Sequence, residues 1–205
     1  MSSGLHYSER ELAGFTDADY GQRLLDSFQN AEAALVVNNQ IASLVEPFAQ
    51  KVHVIPSGFD VERFHGLPNR NSTELPFRIL FAGLVAEYMK GFHVLLEACR
   101  RLWRIRQDFE LWVTANEQLP TDAFLRPCGW QSQVELPHLM AQCDVVAVPT
   151  VAQEALGRTA VEAMGARRAV VASRLGGLKE VVCDGLTGLL VNPNDAQDLS
   201  RALVE

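Results

Sequence analysis

The stretch "CDVVAVPTVAQEALGRTAVEAMGARRAVVAS", Cys143 to Ser173, decides the fold. Its opening, "CDVVAVPT", is a short apolar run rich in β-branched residues and reads as a buried strand. After a loop, "GRTAVEAMGA" reads as a helix, and "RAVVAS" as a second strand. Strand, helix and strand in that order form a βαβ unit, which implies a parallel sheet covered by helices.

The same alternation extends in both directions. "AALVVN", "KVHVIP", "FRILFAG" and "FELWVTA" read as strands, and "GFHVLLEACRRLWRI", "ELPHLMAQC" and "DAQDLSRALV" as helices. In the first of these helices Val94, Leu95, Ala98, Leu102 and Ile105 recur on one face. The rhythm breaks once, at "SGFDVERFHGLPNRNSTELP", which lacks periodicity and is rich in Gly, Pro, Asn and Ser. Residues 57–76 are therefore expected to be an interdomain linker, and 77–205 a Rossmann-like domain. The part before it, 1–56, holds about two helices and two strands, too few to close a parallel sheet. It is expected to be the remnant of a larger domain, or to be completed by a partner chain.

Composition narrows the class. A hydrophobic content of 48% in 205 residues fits a folded protein. The net charge of -7 speaks against nonspecific nucleic-acid binding, which draws on Lys and Arg. Cys99, Cys128, Cys143 and Cys183 stand far apart with no CxxC pair, so reduced thiols are expected rather than disulfides or a metal cage. No apolar run approaches the roughly 18 residues of a membrane span. The polar start "MSSGLHYSERE" does not read as a signal peptide, and the cytoplasm is the default address.

Ligands of open parallel sheets bind where strands give way to helices. Three stretches sit there. In "LFAGLVAEYMKG" a strand ends at Gly83 and Lys90 precedes a helix, able to reach a phosphate; the blander reading is a solvated Lys beside a turn. The fingerprint GxGxxG is absent, so NAD and FAD are not the obvious ligands. In "EALGRTAVEAMGA" the amides of Gly157, Arg158 and Thr159 open a helix and form an anion site, with Gly157 admitting close approach. Glu154 before the helix and Glu162 within it can each accept from vicinal hydroxyls. That spacing suits a ligand with a diphosphate in the middle and a sugar at each end; two surface glutamates are the alternative. In "ASRLGGLKEVVCDGLTGLLVNPND", Gly176 and Gly177 serve mainly a tight turn, and "DGLTGLLV" reads as a turn into a last strand.

Taken in order, "VIPSGFDVERF", "ILFAG" with "KGFHVLLEA", "CDVVAVPT", "EALGRTAVEAMGA" and "VVASRLGGLKEVVCDGLTGLLVNPND" resemble glycosyltransferase family 4, the retaining enzymes of GT-B fold. The resemblance runs from about Asp19 to the C-terminus. It implies an α/β fold of GT-B type: a Rossmann-like donor-binding domain beside the remnant of a second one. The implied function is transfer of a hexose from a nucleotide sugar to a glycan, lipid or small-molecule acceptor, with no metal or cofactor. By this resemblance Glu162 holds the ribose, Glu154 faces the donor sugar, and the amides from Leu156 through Gly157 and Arg158 to Thr159 hold diphosphate and sugar. Lys90 neutralises the leaving diphosphate, Gly83 lies at the donor, and His6 falls near the sugar. Trp130 and Gln131 mark the base pocket, although core packing accounts for a Trp equally well. The chain departs from the family at Leu84, where an Arg is usual, and in the shortness of the stretch between "LWVTA" and "FLRPCGWQ". A nucleotide-sugar epimerase or hydrolase, or a binding module without turnover, are the alternatives. A peripheral membrane or oligomeric contact through the incomplete N-terminal part stays open.

Overall fold

The computed structural model describes residues 18–71, 75–152 and 154–204. The chain divides into two compact units, one ending at Pro56 and one beginning at Ser57. In the first, α1 (Ala18–Asn30) and α2 (Asn39–Val45) accompany β1 (Ala34–Val36) and β2 (Val52–Val54). The two strands pair in parallel, with Ala34 opposite Val52. Asn38 starts α2 by accepting from the Ile41 amide at 2.7 Å, which satisfies one of the orphan donors of the first turn. Ala34, Val36, Ala42 and Val45 form a small core, while Leu35, on the other face of β1, is 69% exposed.

The second unit holds six parallel strands. They are β3 (Phe77–Phe81), β4 (Phe109–Val113), β5 (Leu125–Pro127), β6 (Val145–Val148), β7 (Ala169–Ser173) and β8 (Gly188–Val191), in the order β5-β4-β3-β6-β7-β8. All four residues of β6 are buried, as a central strand covered on both faces requires. One face packs against α3 (Phe92–Trp103) and α7 (Ala196–Ala202) through Leu95, Cys99, Leu102 and Leu199. The other packs against α4 (Glu135–Ala141), α5 (Arg158–Gly165) and α6 (Leu178–Val181) through Met140, Ala160, Ala163 and Leu178. Among the described residues no helix is long and apolar enough to cross a membrane.

The chain runs outward from β3 to β4 and β5, then returns to the other side of β3 as β6. Neighbouring strands of a parallel sheet whose connections leave in opposite directions open a crevice at their carboxyl ends. The β3 and β6 ends therefore mark where a ligand fits.

Three details depart from the sequence expectation. Ile105 was placed on the apolar face of α3, but that helix ends at Trp103 and Ile105 is 77% exposed, because the helical period stops where the chain turns at Arg104. The strand β5 was not foreseen; three residues ending in Pro127 give almost no alternation, and a Pro is tolerated there because β5 is an edge. Residues 57–71, expected to be part of a linker, are instead strapped to the second unit. Phe64 and Leu67 are buried in the core beneath α4 to α6. Arg70 grips Asp144 with both side chains about 5% exposed or less. Asn69 Oδ1 accepts from Arg168 at 2.7 Å. Apolar anchors at this spacing, in a turn capped by Asp60, drive the stretch onto the surface it would otherwise pass over.

Candidate functional site at the carboxyl ends of β3 and β6

Two loops meet at the crevice. The loop after β3 closes with a short 3-10 turn, Tyr88–Lys90, and Gly91 then takes a left-handed conformation with φ of 72°. A Cβ at Gly91 would stand 1.9 Å from the Pro149 carbonyl oxygen, so only glycine lets the start of α3 approach the end of β6. The Val151 amide donates to the Met89 carbonyl at 2.9 Å and joins the two loops. In consequence Lys90 Nζ lies 3.3 Å from Glu154 Oε2, an ion pair about a quarter exposed.

Glu154 is held from behind by the double glycine. The Gly177 amide donates to the Glu154 carbonyl at 2.7 Å. A Cβ on Gly176 would come within 2.2 Å of that same oxygen, and one on Gly177 within 2.4 Å of the Ala155 carbonyl. Gly176 and Gly177 thus fix the loop that presents Glu154 and Leu156.

The helix α5 begins at Gly157, which has φ of 80° and no side-chain cap. The Arg158 and Thr159 amides lie in its first turn, where α-helical N–H groups lack intrahelical partners, next to the positive end of the helix dipole. Gly157 was expected to admit a ligand close to the backbone. Its Cβ position is taken instead by Leu178, 2.4 Å away, so this glycine serves the packing of α6 on α5 and the left-handed turn.

Glu162, one turn further along α5, is 7% exposed. Its Oε1 meets Arg158 at a long 3.4 Å. A carboxylate so buried keeps acceptor capacity that this contact does not use.

Beside Glu162 lies a cleft of about 170 Å³, lined by Arg63, Ala82, Gly83, Thr114, Trp130, Gln131, Gln133, Leu136, Arg158 and Glu162. Trp130 is 60% exposed at its edge, so it is not a core residue. Its backbone amide is held by Asn116 Oδ1 at 2.9 Å, and Gln131 Nε2 donates to the Cys128 carbonyl at 2.8 Å, which orders this rim. Burial pushes the nearby Cys128 thiol up from its ordinary pKa.

The structure brings Gly83, Trp130, Gln131, Arg158 and Glu162 together around one cleft. Lys90, Glu154, Leu156, Gly157 and Thr159 stand apart from its lining, along the two strand-end loops and the α5 start. His6 lies outside the described residues. Leu84, the residue after Gly83, is 44% exposed and brings no charge. Sequence reasoning missed Arg63, Thr114 and Gln133 in the cleft wall. The apolar spacing of Phe59, Val61 and Phe64 within a stretch read as linker was the signal for Arg63.

The family model for glycosyl transferases group 1 matches residues 76–205. A lipopolysaccharide 1,2-N-acetylglucosaminetransferase of Salmonella typhimurium is 30% identical over 188 residues, 77% of this chain and 49% of that protein. A phosphatidyl-myo-inositol mannosyltransferase of Mycolicibacterium smegmatis is 33% identical over 159 residues, 73% of this chain and 41% of that protein. The chain thus spans about half the length of the curated relatives it matches. Among solved structures, HepE of Anabaena in complex with UDP and glucose superposes with a TM-score of 0.75 at 21% identity, covering 96% of this chain and 57% of that one. The sucrose-phosphate synthase of Thermosynechococcus elongatus gives a TM-score of 0.73 at 21% identity, covering 99% and 53%. These likenesses show the fold, an α/β arrangement of GT-B type with a parallel sheet of six strands.

Proposed function

The chain belongs to the glycosyl transferases group 1 family, and on that premise we propose that its second unit holds a nucleotide-diphosphate sugar whose hexose passes to an acceptor with retention of configuration. The observation that carries this reading is the buried, under-used Glu162 beside an uncapped helix start. A diphosphate at the Gly157 to Thr159 amides leaves a ribose within reach of Glu162 and a sugar toward Glu154. The relation to HepE, solved with UDP and glucose bound, supports a nucleotide-linked hexose.

In this reading the bond between the anomeric carbon and the diphosphate oxygen breaks, and negative charge grows on the departing phosphate. Lys90 and the α5 amides stand where that charge develops, and groups fixed before the reaction stabilise a transition state without reorganising. The role needs neither a metal nor a cofactor. Glu154 orients Lys90 and accepts from a sugar hydroxyl, and Trp130 and Gln131 border the base. A cytoplasmic address, in keeping with four free cysteines, completes the reading.

Calorimetry with UDP, GDP and ADP on the native chain and on Glu162→Ala tests it. Loss of a charged acceptor should weaken the nucleotide by about 1 to 3 kcal/mol. Unchanged affinity takes Glu162 out of the site and the reading with it. Incubation with a panel of sugar nucleotides and acceptors then separates transfer to an acceptor from isomerisation, hydrolysis or binding alone.

A further inference from the structure

We propose that Arg63 is a donor-specificity residue that reads the nucleobase, selecting a base with a carbonyl edge, uracil or guanine, over adenine. The assignment rests on the donor-site reading above and adds the residue that chooses among its nucleotides.

Arg63 comes from the strapped stretch, within the short 3-10 helix Val61–Phe64, and its position is set by its neighbour. Phe64 is 4% exposed and its ring lies 3.1 Å from where Gly165 would carry a Cβ, at the last residue of α5. Gly157 and Thr159 lie at the opposite end of that helix. A helix rises about 1.5 Å per residue, so Glu162 stands about one turn into α5 and Gly165 nearly one turn further; of this helix Arg158 and Glu162 line the cleft, and Phe64 packs at its Gly165 end. A nucleoside diphosphate laid along it places phosphates at the start, ribose at Glu162 and base at the far end. Arg63, the residue before Phe64, lines the cleft together with Trp130, Gln131 and Thr114, and in the proposed pose this wall is the base end.

The chemistry of the wall follows from the guanidinium. One terminal nitrogen of Arg63 donates to the Gln133 carbonyl, which holds the fork against the β5–α4 loop. Its Nε is buried and has no hydrogen-bond partner among the described residues. A buried N–H without an acceptor costs free energy that an arriving acceptor relieves. Guanidinium has only donors, and its fork matches adjacent acceptors such as guanine O6 and N7, or a single carbonyl such as uracil O4. Adenine presents an amino group on that edge, donor against donor. Leu84 carries no charge, so the cations available to a nucleoside diphosphate include Arg158 at the α5 start, Lys90 on the strand-end loop and Arg63 in the cleft wall, where the base would lie.

Titration calorimetry of the full chain with UDP, GDP and ADP, native against Arg63→Met, tests the assignment, with thermal melting to show that the variant folds. The native chain should bind UDP or GDP about tenfold or more tighter than ADP, and Arg63→Met should erase that preference while leaving ADP affinity unchanged. Parallel loss for all three nucleotides would mean that Arg63 only braces Gln133, and overturns the proposal; so does a native chain that does not discriminate. If Arg63→Met does not fold, Arg63→Lys keeps the charge without the fork and should lower UDP or GDP affinity alone, a parallel loss again counting against it. Failure of the donor-site reading is distinct: there Glu162→Ala changes nothing, or the native chain binds none of the three.

Discussion

Lys90 Nζ and Glu154 Oε2 lie 3.3 Å apart although 64 positions separate them in the chain, joined across the crevice between the loops that follow β3 and β6. The pair is partly open to solvent, so it adds little stability, about 1 kcal/mol or less. Its consequence is positional: the cation is held near the α5 start before any ligand arrives. We expect Lys90→Ala to melt within a degree or two of the native chain, since its ion pair is weak. Donor turnover should fall by about a hundredfold or more, because a charge-stabilising group acts most in the transition state. Melting curves and single-turnover assays check both halves, and a variant that loses stability but keeps turnover contradicts the assignment.

Gly176 couples folding to the same site. Its φ of 50° and the approach of a would-be Cβ to 2.2 Å from the Glu154 carbonyl leave no room for a side chain. Gly176→Ala should lower stability by about 1 to 3 kcal/mol through backbone strain. It should also displace the loop bearing Glu154, so that nucleotide-sugar affinity drops beyond what the unfolded fraction explains. Gly185, with φ of 76° but open space around it, is the control: alanine there strains the turn and leaves ligand affinity alone.

The difference between these two glycines shows what a sequence reveals and what it hides. The βαβ rhythm was legible because β6 and β7 are continuous apolar runs whose burial follows directly from composition. Glu162 and Lys90 stood out in the sequence as candidates beside a helix start and a strand end, and the roles proposed for them came from the resemblance to glycosyltransferase family 4 rather than from the local pattern. The purpose of Gly157 was not, since a Cβ clash with Leu178 depends on how α6 lies on α5, a contact between segments far apart in sequence. Arg63 was hidden for the same reason. A stretch with Gly, Pro and Asn and no period reads as unattached chain, and only tertiary packing of Phe64 and Leu67 brings it to the cleft.

Arg70 is the polar counterpart of those anchors. Its Nε lies 3.0 Å from both carboxylate oxygens of Asp144, and a terminal nitrogen donates to the Pro76 carbonyl at 2.7 Å. Asp144 also accepts from the Arg78 amide at 2.7 Å, at the entry to β3. Both side chains are about 5% exposed or less, so removing one strands a charge in the interior. Arg70→Ala should cost about 3 to 5 kcal/mol. Replacing both partners with apolar residues should cost much less, and a double-mutant cycle read by urea denaturation distinguishes the pair from simple loss of packing.

Alkaline pH offers a probe of the core that needs no mutation. Burial pushes the Cys143 thiol up from 9.0 to about 12, and Cys99 is raised further by the same cause. A raised folded-state pKa means that the native chain keeps a proton that the unfolded chain has already released. Stability is therefore full below about 9 and falls as pH rises from there toward 12 for Cys143. Thiolate is also the reactive form, so neither buried thiol should be labelled while the protein is folded. Cys183 is exposed and should react at once at neutral pH. Mass spectrometry after a short pulse of thiol reagent, repeated in urea, should show Cys183 labelled first and Cys99 and Cys143 only upon unfolding. Labelling of Cys143 at the native rate of Cys183 would mean that the layer of α4 against the sheet opens far more readily than its buried packing allows.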